Sequence, residues 1–281
     1  LGKLDPSLLG IIVAAHFSTC RSQIPSSCAH TLAIVDHLIF DVSQQNPRFT
    51  GLYHALGRKR GLDFFFLGLD IFLTSGRASN AQDLLKFIYF RGQMLVESAG
   101  DYENVQDFHL RLMDVLLLKK HFRNLFCHWH ADVRAFYHHI LIFRLFRSSR
   151  YQLRPGIDGA ILRKFAVSST KKLPHEVTHI FSLAKSQPLH DSDKVVLSRY
   201  CALMKLMHSA ITADDREACT LGVNPDIAPA LLRTSFNEYC ELLWAYYCEN
   251  NTRPPLQPFS IAAKREQELL EALSNGATVK D

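Results

Sequence analysis

Apolar residues recur at three- and four-residue intervals along almost the whole chain, and this periodicity constrains the fold more than any other feature. Between Ala78 and Ala99, positions Ala81, Leu84, Leu85, Ile88, Gly92, Leu95 and Val96 fall on one helical face, with Asp83, Lys86 and Glu97 off it. From Asp101 onward the same spacing links Val105, Phe108, Leu112, Leu116, Phe122 and Phe126. Val196, Tyr200, Leu203, Met207 and Ile211 form a third stripe. No run alternates with the two-residue period of a half-buried strand. The chain is therefore expected to be all-α.

The punctuation between stripes refines that expectation. Asp5-Pro6 places a capping residue before a proline suited to a first helical turn. Ser235 and Glu238 have capping-box spacing, or else lie inside a helix begun near Pro229. Gly61, Gly76, Gly100 and the Arg154-Pro155-Gly156 turn separate the periodic segments. Asp107 and Arg111, four apart with the acid first, are placed to pair on an outer face. Short links between amphipathic segments predict an irregular multi-helix bundle, or an α-solenoid-like stack of antiparallel helix pairs. Loops at Ser148–Gly159 and Asn250–Pro258 suggest subdomains 1–153 and 154–258, then a terminal helix and tail over 259–281. One continuous domain fits the same pattern.

Composition narrows the class. With 47% hydrophobic and 21% charged residues the balance is globular, and 19 Phe against four Met predict a core rich in Phe and Leu. The start at Leu1 fits either removal of an N-terminal stretch or an excerpt from something longer. The longest apolar windows contain Asp63 and Asp70 and fall short of a membrane span. Leu8 to Ala15, behind Asp5-Pro6-Ser7, reads as a first helix and not as a signal peptide. Seven cysteines, an odd number without a C-x-x-C, match no disulfide framework and point to an intracellular, reducing compartment, cytoplasmic or nuclear.

Charge is unevenly placed. From His109 to Lys172 there are 13 Lys plus Arg against three acids, a net of +10, whereas the whole chain carries +5. Lys119, Lys120 and Arg123 are expected to end one helix, where cations complement its dipole. Arg144 and Arg147 lie three apart on the next, followed by Arg150 and Arg154 near the loop. Phe122, Trp129, Phe136, Tyr137, Phe143, Phe146 and Tyr151 interleave with them. Such a surface suits an acidic partner, or phosphate contacts with base stacking. A solvated face over a Phe-rich core is the plainer reading. No RNA- or DNA-binding motif with a defined spacing is present.

The histidines form two groups. His175, Glu176 and His179 match H-E-x-x-H, whose two imidazoles on one helical face can ligate zinc while the carboxylate activates water. The pentapeptide resembles that of the thermolysin-like zinc peptidases, which implies a third carboxylate ligand about twenty residues on; Arg199 occupies that neighbourhood. Pro174 places His175 at a helix start. The second group is Cys127, His128, Trp129 and His130, with His138 and His139 one helical stretch later. Cys127 and His130 could share a metal, but no further ligands follow at zinc-finger spacing. Six histidines between 109 and 139 would add positive charge below pH ~6.5.

The expected function is a non-catalytic helical interaction or scaffold domain of a larger intracellular assembly, with the basic segment 109–172 as its partner surface. Its expected site residues are Lys119, Lys120, Arg123, Arg144, Arg147, Arg150 and Arg154. The rival readings are RNA or DNA binding through those cations and an H-E-x-x-H zinc hydrolase. Protein partners are expected and no cofactor; the residues specify no oligomeric state.

Overall fold

A computed structural model describes residues 6–38, 59–97, 108–145, 153–155, 181–183, 191–212 and 229–248. Among these residues nine helices carry the structure: α1 (Pro6–Thr19), α2 (Pro25–Asp36), α3 (Lys59–Thr74), α4 (Ala78–Glu97), α5 (Leu110–Lys120), α6 (Phe122–Phe126), α7 (Ala131–Phe143), α8 (Asp191–Thr212) and α9 (Pro229–Cys248). The chain is all-α, as the periodicity requires. One addition is a minimal antiparallel pair, β1 (Leu153–Pro155) with β2 (Phe181–Leu183), Leu153 facing Leu183. Three residues are too few to print a two-residue alternation on the sequence.

Two compact units interleave along the chain. The first takes Leu1–Phe122, Arg144–Ser148 and Leu189–Arg199; the second takes Arg123–Phe143, Ser149–Pro188 and Tyr200–Asp281. In the first unit, α1 packs on α3, α2 packs on α4, and α3 also meets α4 and α5. Phe17 of α1 is the centre of an aromatic cluster, 5.9 Å from Phe65 and 5.7 Å from Phe72 between ring centroids. Gly68 lets that ring lie against the α3 backbone. α3 ends where Gly76 takes φ +71°, a conformation that glycine adopts without Cβ strain. Gly61, by contrast, lies in the first turn of α3 and separates nothing; Gly100 falls outside the described residues.

α5 is wound in the wide i→i+5 pattern, closed by the His121 N–H bonding to the Leu116 carbonyl at 3.1 Å. A turn of this width repeats nearer to every four residues than every 3.6, so Leu112, Met113 and Asp114 stack over Leu116, Leu117 and Leu118, all six buried. His121 then leaves the helix at φ −113°, ψ 1°. The single helix expected through Phe126 is accordingly two, and Arg123 belongs to α6.

In the second unit α7 packs on α9. Phe126, Tyr137, Ile140, Phe236, Tyr239 and Leu243 fill that core. The helical stripes emerge as expected: Ala81, Leu84, Leu85 and Ile88 are buried, as are Phe108, Leu112, Leu116, Phe122 and Phe126. On α8, Val196, Tyr200, Met207 and Ile211 are buried, with Met204 in place of half-buried Leu203. Val105, the Asn250–Pro258 loop and the terminal helix and tail expected over 259–281 lie outside the described residues.

Candidate interaction surface

α1 has no charged residue other than His16, and apolar residues occupy every side of it. Its inner side, Val13 and Phe17, is buried; its outer side leaves Leu8, Ile11 (62% exposed) and Ile12 in water. α3, its packing partner, does the same. Leu62, Phe65, Phe66, Leu69 and Phe72 face inward, while Phe64, Leu67 (52% exposed) and Ile71 form an outward stripe at i, i+3 and i+7 spacing. Each of the two packed helices thus keeps several large apolar side chains on its outer side, beyond the single exposures normal for a protein surface.

Two carboxylates of α3 are paired. Asp63 pairs with Arg111 of α5 at 2.8 Å, and the Arg111 guanidinium also covers the Phe66 ring at 4.7 Å. Asp107, expected to meet Arg111, lies outside the described residues. Asp70 accepts from Lys120 Nζ at 2.5 Å and from His121 Nε2 at 2.7 Å. Burial pushes the Asp70 carboxyl upward, but these two bonds outweigh it and hold the group below its ordinary value.

Of the seven cations expected as a site, four have described side chains. Lys119 and Lys120 stand exposed in the last turn of α5, Lys120 engaged by Asp70. Arg123 is half-buried and in the second unit. Arg144 turns inward: its Nε donates to the Tyr89 carbonyl at 2.7 Å and its guanidinium lies 4.9 Å from the Tyr89 ring centre. Arg154 lies in β1, with its side chain outside the described residues, as are Arg147 and Arg150.

The histidine cluster of the second unit serves the core. Ser235 lies inside α9 and caps nothing; its Oγ donates to the Phe126 carbonyl and shares a hydrogen bond with His138 Nε2 at 3.2 Å. Burial pulls the His138 imidazole well below its ordinary value and His139 to about 4. Burial likewise lowers His128. Burial thus disfavours the charged form of these three histidines, against the expectation that they would strengthen a basic surface. Burial also pushes the Cys127 thiol up to about 12. Among the described residues no three His, Cys, Asp or Glu side chains gather as metal ligands. His175, Glu176 and His179 lie outside those residues.

One aromatic in this cluster does face solvent. Trp129, 68% exposed, is flanked by His128, stacked at 5.5 Å, and by the His130 ring edge at 5.3 Å. Its loop is fixed from below by Arg134, which donates to the His128 and Trp129 carbonyls at 2.7 and 3.1 Å. Arg134 also forks onto Glu238 of α9 at 2.8 and 2.7 Å. This clamp is not legible in the sequence, because its members are 104 positions apart.

Comparison with known proteins adds one likeness. Residues 11–145 are similar to a family described as "Protein of unknown function (DUF1765)". That stretch runs from within α1 past the end of α7 and includes Ile11, Ile12 and the outward stripe of α3. No curated protein matches the chain, and no solved structure does. No described helix is long and apolar enough to cross a membrane.

Proposed function

We propose that this chain is a non-catalytic helical interaction domain of an intracellular assembly, and that α1 and α3 together hold an amphipathic helix of a protein partner. The observation that carries this reading is the exposed apolar side chains of both helices, Leu8, Ile11 and Ile12 on α1 and Phe64, Leu67 and Ile71 on α3. Their chemistry selects the occupant. They have no charge of their own, and the neighbouring carboxylates Asp63 and Asp70 are matched from within the protein, so an apolar helix face fits and a polyanion does not. The cysteines Cys20, Cys28, Cys127, Cys201 and Cys240 are free thiols, which suits a reducing compartment.

The test is a photo-crosslinking amino acid placed at Phe64 and, on the basic segment, at Lys119. A protein adduct from position 64 that is lost when Leu67→Glu is added supports the reading, provided the variant keeps its helical circular dichroism. An adduct from position 119 alone would move the partner to the basic segment. A nucleic-acid adduct there, with binding that collapses as salt is raised, would replace the reading with the rival one.

A further inference from the structure

We propose that Cys20 and Cys28 are a redox pair that closes into a reversible disulfide across the α1–α2 turn. Their sulfurs lie 3.8 Å apart in the reduced protein. A disulfide needs about 2.05 Å, so the sulfurs must approach by less than 2 Å, a movement that side-chain torsions supply. The turn that carries them is held in place. Ser27 Oγ accepts from the Arg21 N–H at 3.1 Å and donates to Cys20 Sγ at 3.7 Å. Asn80 at the start of α4 donates to the Ser22 carbonyl at 2.8 Å. The pair is thus positioned by two helices and a buried amide. With only two sulfur donors and no third ligand among the described residues, the site suits a disulfide and not a zinc ion.

The two thiols have different roles. Cys20 is half-buried and meets solvent; Cys28 is fully buried. With a small-molecule disulfide as oxidant, the Cys20 thiolate attacks one sulfur and expels a thiolate, leaving a mixed disulfide. Cys28 then attacks the Cys20 sulfur, loses its proton and expels the second thiolate. Two electrons and two protons pass to the oxidant, which leaves as two thiols. Burial, then the hydrogen bond and charge of Cys20, push the Cys28 thiol up to about 12; the mixed disulfide removes the Cys20 contribution at the moment Cys28 must react.

The experiment treats the full chain with oxidised glutathione under native conditions, blocks remaining thiols and digests with trypsin. Cleavage after Arg21 separates the cysteines, so the bond appears as two joined peptides that reductant releases. We expect this species to form at least tenfold faster in the native chain than in the same chain in urea, because folding supplies the proximity. In Cys28→Ser, Cys20 should retain a stable glutathione adduct; in Cys20→Ser, Cys28 should stay unmodified. Native formation no faster than in urea, or a persistent Cys20 adduct in the unsubstituted chain, would overturn the proposal.

Discussion

The Phe17 ring of α1 presses on a glycine of α3. A methyl added at Gly68 would lie 2.2, 2.4 and 2.6 Å from three atoms of the Phe17 ring, against an ordinary carbon–carbon contact of about 3.5–4.0 Å. The ring must retreat by roughly 1 Å or more. It has little room, being 7% exposed and in edge contact with Phe65. Overpacking of this kind costs about 1–3 kcal/mol. The better helix propensity of alanine returns at most ~1 kcal/mol, so Gly68→Ala should be destabilising on balance. Gly92→Ala in α4 is the matched control. Its added methyl meets Ile88 at 3.5 Å and Met113 at 4.0 Å, both ordinary contacts, so it should be neutral or stabilising. Urea denaturation followed by far-ultraviolet circular dichroism reads both midpoints. Phe17→Leu added to Gly68→Ala should recover part of the loss. A Gly68→Ala chain as stable as Gly92→Ala would refute the packing argument.

Arg134→Met should destabilise by about 3–5 kcal/mol, because it leaves Glu238 and two loop carbonyls without their charged donor; a loss below ~1 kcal/mol in urea denaturation would contradict this. Burial holds His139 at about 4 in the folded chain against 6.5 unfolded, so the unfolded state binds the extra proton between those values. Stability should therefore be full above about pH 6.5 and fall as pH drops toward 4, by on the order of 3 kcal/mol, and His139→Gln should flatten that slope in pH-dependent denaturation. Asn80→Asp replaces a buried donor with an acceptor facing the Ser22 carbonyl and the Ser75 hydroxyl; a loss of at least about 1–3 kcal/mol should appear as a lower Tm. An unchanged Tm would show that this amide does not hold the α1–α2 turn.

Helix class and inner faces were legible because burial of one stripe per helix leaves a 3.6-residue imprint. What was not legible has particular causes. In α1 and α3 apolar residues cover more than the inward stripe, and periodicity cannot tell a second buried face from an exposed one; only the packing shows that Ile11 and Leu67 remain outside. For the basic run between 109 and 172, sequence counts the charges without their directions. Arg144 turns to Tyr89, Lys120 to Asp70, and Arg134 is nearly buried against Glu238. Ser235 and Glu238 have the spacing of a cap but lie within α9, where one bonds Phe126 and the other Arg134. In each case the deciding partner is 50 or more positions away.

The Arg134 clamp also bears on synthesis. Bonds spanning 97, 104 and 109 positions close the second unit: His138 to Ser235, Arg134 to Glu238, and Ser235 to Phe126. At about 5–20 residues per second, α7 leaves the ribosome many seconds before α9 exists. Throughout that interval Phe126, Tyr137 and the Arg134 cation lack the helix that will cover them, while α1 to α4 already have one another. The nascent chain thus spends its most aggregation-prone moments with its later half unfinished, when a chaperone would have the most to bind.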